Sequence, residues 1–318
     1  MTDSIQYPLD LSVTAPLFNE EDSVEMLYCA IRDAIAPLGK TYEIILVDDG
    51  SKDKTFEIAK SLAAKDPHLK IVKFRRNYGQ TPAMAAGIDH AQGKIIVTMD
   101  GDLQNDPKDI EHFLSKINEG YDIVVGWRHK RQDKLITRKI PSMIANRIIG
   151  KITGVPIKDN GCSLKAYKAE VIKNIPLYSE MHRFIPAMTS ITGTTVAEIK
   201  VRHHARQFGE SKYGLSRIYK VLFDLLTVKT LVTFISRPLY WFFLLSIIPG
   251  SIALVTFLYA LFSNIESPTT MFGLTILFSI LTFFILLTGV LGELIFHTGD
   301  FKFNKILKLT QKIGTDSV

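Results

Sequence analysis

Two stretches of this chain can be satisfied in very few environments. From Leu239 to Phe262 the sequence runs 24 residues without a charge, and from Met271 to Gly292 another 22. Each exceeds the roughly 20 apolar residues that cross a bilayer core, where a helix satisfies its own backbone polar groups. The connection SNIESPTT (263–270) is short and its single charge is Glu266. Lys229 and Arg237 precede the first run, whereas Lys302, Lys305, Lys308 and Lys312 follow the second. The positive-inside rule then predicts a two-helix hairpin, with spans at 239–262 and 271–296 and both outer ends in the cytoplasm.

The first 130 residues have a different texture. The apolar runs LSVTAPLF, YEIILVDD, LKIVKF, KIIVTMD and YDIVVGW alternate with helix-like stretches at Thr55–Lys65, Pro82–Ala91 and Pro107–Asn118. Short Ile/Val-rich strands separated by helices predict a mostly parallel sheet covered on both faces. Such sheets bind ligands at the carboxyl ends of their strands. Here those ends carry Asn19 and Glu20, Asp48 and Asp49, Arg76 and Asn77, then Asp100 and Asp102. Helix caps and solvated turns account for Asn19, Asp49 or Ser51 one at a time. They account poorly for Asp48 and Asp100, which directly follow apolar runs.

Composition removes several classes. Of 318 residues only Cys29 and Cys162 are cysteines, far apart and without metal-ligand spacing, which argues against a disulfide framework or zinc site. The opening MTDSIQYPLD lacks the basic-then-apolar pattern of a secretory signal. No G-x-G-x-x-G follows the first strand and no G-x-x-x-x-G-K-S/T occurs, which argues against a dinucleotide oxidoreductase and a P-loop NTPase.

The stretch VTMDGDLQNDP (97–107) carries the chemistry. Two carboxylates, Asp100 and Asp102, leave a buried strand together and repel each other unless something positive sits there. Magnesium typically takes one or two protein carboxylates and completes its shell with substrate phosphates and water. The stretch therefore predicts a metal–diphosphate site.

APLFNEE (15–21), VDDGSKDKT (47–55), RNYGQTPAMAAGI (76–88) and MDGDLQNDP (99–107) resemble, in order, the motifs of family-2 glycosyltransferases with the α/β GT-A fold. DNGCSLKAY (159–167) and RQFGESKYGLSR (206–217), followed by two spans, are similar to the polyprenyl-phosphate glycosyltransferases. The bactoprenol glucosyltransferase branch is nearest in pattern, with dolichyl-phosphate mannose synthases as more distant relatives. The resemblance covers about residues 10 to 310. It implies that Pro16, Asn19 and Glu20 hold the nucleoside with Asp48 on the base, and that Gly79 and Gln80 lie in a loop closing over the nucleotide. It further implies that Asp100, Gly101 and Asp102 meet the diphosphate, and that Asp100, Asp102 and Gln104 hold Mg2+ or Mn2+. Arg128, Arg138, Ser142, Arg206, Ser211 and Lys212 fall where relatives hold the acceptor phosphate. Asp159 falls where many family-2 enzymes keep a catalytic base; base, sugar-hydroxyl ligand and orienter of Lys212 are all open for it. The Q-x-x-R-W motif of chain-elongating relatives is absent, which counts against polysaccharide elongation.

Charge placement supports a phosphate acceptor independently. The net charge is +6, with eight Lys or Arg against Asp133 between Arg128 and Lys151, and six against Glu210 between Lys200 and Lys220. Ile140, Ile144, Ile148 and Ile152, then Ile218, Val221, Leu222 and Leu225, recur at helical spacing. Amphipathic helices with a basic face lie in the membrane interface. No nucleic-acid motif accompanies them, so no nucleic-acid partner is expected. His203 and His204, adjacent in a basic segment, read as surface or interface residues.

The expected organisation is a cytoplasmic GT-A domain at 1–215 with an interfacial helix at 134–153, a juxtamembrane helix at 216–236, a hairpin at 237–297 and a basic tail at 298–318. The expected activity is inverting transfer of one hexose to undecaprenyl phosphate at the cytoplasmic face of the inner membrane. UDP-glucose is the donor the resemblance favours; GDP-mannose and a UDP-linked aminopentose are alternatives. A non-catalytic membrane-tethered nucleotide-sugar binder is a second class, against which the retained Arg206, Ser211 and Lys212 argue. The hairpin also offers a surface for self-association, which two helices alone do not establish.

Overall fold

The computed structural model describes residues 7–129, 147, 150, 155–175, 177, 181–190, 193–205, 237–262 and 269–298. The expected interfacial helix, apart from two isolated positions, the juxtamembrane helix and the tail beyond residue 298 lie outside the described residues. The chain forms two compact units, residues 1–228 with 305–318, and residues 229–304.

The first unit runs β1 (Leu9–Leu17), α1 (Val24–Ile35), β2 (Tyr42–Asp48), α2 (Thr55–Ala63), β3 (Leu69–Lys73), α3 (Gln80–His90), β4 (Gly93–Thr98), α4 (Ile110–Asn118) and β5 (Ile123–Trp127). It continues with β6 (Lys165–Lys168), α5 (Ala169–Ile172), α6 (Ile185–Ser190) and β7 (Val196–Lys200). The seven strands stand in the order β3-β2-β1-β4-β6-β5-β7. β1 to β4 pair in parallel, with Leu17 opposite Asp48 and Thr14 opposite Thr98. β6 runs antiparallel between β4 and β5, and β5 pairs in parallel with β7.

Burial on both faces follows from the sequence. Along β2, Ile44 and Leu46 enter one core cluster while Ile45 and Val47 enter another, so the apolar run Ile44–Val47 has two dry faces. α1 buries Val24, Leu27, Tyr28, Ile31 and Ile35, a stripe at helical spacing against the first cluster. α4 adds Ile110, Phe113, Leu114 and Ile117 on the same side, whereas α3 places Ala83, Met84 and Ile88 in the second cluster. Full burial of each Val, Leu, Ile, Phe or Met among them contributes about 1.5–3 kcal/mol. The result is a three-layer α/β/α unit whose parallel strands all end on one edge.

The described residues of the second unit form two helices, α7 (Pro238–Phe262) and α8 (Thr269–Thr298). At 1.5 Å per residue they reach roughly 37 and 45 Å, beyond the ~30 Å of a bilayer core. Both are long and apolar enough to cross a membrane. Ile248, Val255, Phe262, Ile276 and Phe283 are among their exposed side chains, unlike the helices of the first unit, which turn an apolar stripe inward. The contact between them is polar in places: Thr256 Oγ1 and Thr275 Oγ1 share a 3.0 Å hydrogen bond, and the Leu239 N–H donates to Glu293 Oε2 at 3.2 Å.

Candidate active site

The strand tips are held together by their own loops. Asn19 sits at the end of β1 in the left-handed region, φ 54, accepting the Lys52 N–H on its side-chain oxygen at 2.9 Å, while its own N–H donates to Ser51 Oγ at 2.9 Å. Glu20 accepts the Ser23 hydroxyl at 2.8 Å, and its N–H donates to Thr55 Oγ1 at 2.8 Å. These contacts brace the β1 and β2 loops against one another. Pro16 is half-buried nearby, and Gly101 lies so close that a Cβ there would stand 2.7 Å from the Pro16 carbonyl oxygen. Only glycine lets the D-x-D turn settle against β1.

Asp48 ends β2 fully buried. Its Oδ1 accepts the Ser51 N–H at 3.1 Å, while Oδ2 meets no hydrogen-bond donor among the described residues. An unsatisfied buried acceptor is costly. A base N–H is the kind of donor that would offset it. Asp49 instead holds a loop, accepting the N–H groups of Tyr78 and Gly79 at 2.7 and 2.9 Å. Burial raises the Asp49 pKa, as does the neighbouring Asp48 charge, against the opposing pull of those two bonds. Gly50 permits the close fit: at φ +69, a Cβ there would collide with the Arg76 backbone.

The same loop leads into α3, with Gly79 at its N-cap and Gln80 as its first residue. Gln80 Nε2 donates to Asp100 Oδ1 at 2.6 Å, so the loop expected to cover a nucleotide is tied directly to the first D-x-D carboxylate. Asp102 Oδ1 accepts the Gln104 N–H at 3.2 Å, across a Leu103 held at φ 59. A leucine in that region carries about 1–2 kcal/mol of strain, which the surrounding contacts must hold. Among the described residues no three His, Cys, Asp or Glu side chains gather into a complete cation site. Asp100 and Asp102 nonetheless form the hard-oxygen pair that magnesium or manganese accepts when substrate phosphates complete the shell. The residues fit such an ion.

Opposite stands an ion pair. Arg128, just after β5, donates from Nε to Asp159 Oδ2 at 2.7 Å and from Nη2 to Oδ1 at 2.8 Å, with its backbone N–H on Oδ2 at 3.2 Å. Both side chains are largely buried, 12% and 7% exposed. Burial opposes the guanidinium charge, but the Asp159 partner outweighs it and raises the Arg128 pKa. The candidate base and the candidate phosphate ligand are thus one bidentate unit. Arg138, Ser142, Arg206, Ser211 and Lys212 lie outside the described residues.

The segment after β7 docks on the D-x-D loop. Arg202 pairs with Asp109 at 2.8 Å and with Asp106 at 3.2 Å, and Asn105 and His203 form a bridge. The His204 N–H donates to the Gln104 carbonyl at 2.9 Å, and the Gln104 Nε2 donates to the His204 carbonyl at 3.4 Å. The Arg202–Asp109 and Asn105–His203 contacts join residues about a hundred positions apart, and no local pattern announces them. His182 belongs to the same neighbourhood and carried no sequence signal, whereas Asp49, Thr81 and Lys165 lie in recognisable motifs that assign them no role.

The sequence profile described as "Glycosyl transferase family 2" matches residues 12–175. A dodecaprenyl-phosphate galacturonate synthase of Rhizobium johnstonii is 44% identical over 91% of this chain and 88% of its own length. An undecaprenyl-phosphate 4-deoxy-4-formamido-L-arabinose transferase of Shewanella sediminis is 38% identical over 90% and 86%. Among solved structures, glucosyl-3-phosphoglycerate synthase from Mycobacterium tuberculosis, determined with Mn2+, UDP and glucosyl-3-phosphoglycerate, superposes with a TM-score of 0.53 at 17% identity, over 71% of this chain and 80% of that one.

Proposed function

The chain belongs to glycosyl transferase family 2, and from that premise we propose that it transfers one sugar from a nucleotide-diphosphate donor to a polyprenyl phosphate at the cytoplasmic face of a cell membrane. The observation that carries this reading is the extent of the likeness to polyprenyl-phosphate sugar transferases: it covers 91% of the chain, more than precedes the first apolar helix. The donor is read as a UDP-sugar. Glucose, expected from the resemblance, is not the sugar in the names of these relatives, which are a galacturonate synthase and a formamido-arabinose transferase. UDP-galacturonate is therefore the first donor to test, ahead of the UDP-linked formamido-pentose and UDP-glucose.

In this reading Asp48 Oδ2 accepts the base N–H, Gly79 and Gln80 close over the nucleotide, and Asp100 and Asp102 face the diphosphate. Bound to Asp100 and Asp102, with Gln104 adjacent, Mg2+ or Mn2+ would supply charge neutralisation to the departing diphosphate. An acceptor phosphate oxygen attacks the anomeric carbon from the face opposite the leaving group. The new carbon–oxygen bond forms as the bond to the β-phosphate breaks, UDP leaves with the electron pair, and the anomeric centre inverts. A phosphate monoester has a second pKa near 6 by analogy with phosphoamino acids, so at neutral pH it needs alignment and charge more than a base. We assign Asp159 accordingly: it orients Arg128, and Arg128 presents charge to the acceptor phosphate. The test is incubation of the full chain in bilayers with undecaprenyl phosphate and labelled UDP-galacturonate, UDP-4-deoxy-4-formamido-L-arabinose, UDP-glucose and GDP-mannose. Label entering the lipid from the first at the highest kcat/KM supports the reading; a preference for glucose overturns the sugar, and no labelled lipid from any donor overturns the function.

A further inference from the structure

Lys165 takes no part in the chemistry above, yet it lies in the middle of it. It opens β6, is 2% exposed, and directs Nζ to two backbone carbonyls, Asn160 at 3.2 Å and His182 at 3.1 Å. Placing an ammonium in a core is costly unless it is well bonded. Burial lowers its pKa to about 8 and the nearby Arg183 and Arg128 charges add to the fall, while Cys162 and Asp159 oppose it. An apolar side chain would suit a packing role at this position better. The two carbonyls belong to separate segments. Asn160 follows Asp159, which holds Arg128. The His182 ring nitrogen Nδ1 shares a 2.7 Å hydrogen bond with Thr81 Oγ1, and Thr81 follows Gln80, which holds Asp100. One ammonium thus stands between the two halves of the cleft.

We propose that Lys165 is a positioning residue that ties the donor side of the cleft, through His182 and Thr81, to the Asp159–Arg128 pair. The inference rests on the glycosyl-transfer reading above. Lys165 sets the distance between the carboxylate that faces the donor diphosphate and the arginine that faces the acceptor. That distance matters in the transition state, where donor and acceptor must be aligned at once, and much less when the nucleotide binds alone.

The experiment uses the full chain in bilayers, with UDP binding by calorimetry beside transfer kinetics for Lys165→Met, Thr81→Val and the double variant. Lys165→Met should keep UDP affinity within about threefold while kcat falls by about 30-fold, a loss confined to the transition state. Thr81→Val, which removes the far end of the same path, should lower kcat by about 10-fold, and the double variant should be no worse than Lys165→Met within about threefold, because residues acting as one unit are not additive. Independent packing losses would multiply, to about 300-fold. Multiplied losses, a change confined to KM, lost UDP binding in Lys165→Met, or full kcat in Thr81→Val each overturn the proposal. Wild-type protein that transfers no sugar overturns the parent reading instead.

Discussion

Asp100 and Asp102 follow β4 with only Gly101 between them, and the Gln80 amide ties the start of α3 to Asp100. Asp100→Asn keeps the shape but removes charge from the diphosphate side. It should cut transfer at least about 100-fold, the order of several kcal/mol that a bound divalent ion supplies. EDTA should do the same to the wild type and added magnesium or manganese should restore it, as read by label transferred per minute. Arg128 and Asp159 give a sharper residue-level test, since a base and an ion-pair partner behave differently. As one unit, Arg128→Lys and Asp159→Asn should each cost about 10- to 100-fold in kcat, and the double variant should cost no more than the worse single. A general base would instead leave Arg128→Lys mild and Asp159→Asn alone severe, with the acidic limb of the pH–rate profile lost.

At the scale of elements, the strands from β1 to β5 and the two long helices were legible because apolar residues dominate each of them. A buried parallel strand and a membrane helix both need every position dry. β6 was not legible. Its sequence KAYK begins with a lysine that the fold buries, and its partners lie far away in the chain. The same buried lysine gives a pH prediction. Its pKa falls from 10.5 to about 8 on folding, so between those values the unfolded chain binds the extra proton and stability rises with pH. Measured against Lys165→Met, which lacks the group, the wild type should gain in melting temperature as pH rises from 8 towards 10. Below pH 8 this group should add no slope. α1 also escaped the sequence reading, although its buried stripe is regular, because the preceding FNEEDS draws attention as a motif and not as a helix entrance. The Asp100–Gln80 bond was half legible: both residues sit in recognisable motifs, but the bond between them needs the sheet order.

At the scale of the molecule, an α/β unit with its polar cluster on one edge is joined to two helices long and apolar enough to cross a membrane. The cluster described here, from Pro16 to His204, lies wholly in the first unit. Deleting everything after Arg237 should therefore leave UDP binding within about threefold, while transfer to a long-chain acceptor in bilayers drops by about tenfold or more, since a chain without spanning helices is held at a bilayer only weakly. Normal turnover of embedded acceptor by the truncated chain would make the hairpin an assembly device instead. The central claim is that the nucleophile is a lipid phosphate. It is tested most directly by offering the full chain in bilayers its best UDP-sugar with undecaprenyl phosphate, the matching undecaprenol, or neither, and measuring labelled lipid and released UDP together. The prediction is one UDP released per sugar transferred to undecaprenyl phosphate, with no labelled product from undecaprenol; sugar on the alcohol at a comparable rate, or UDP released equally fast with no lipid present, would contradict it.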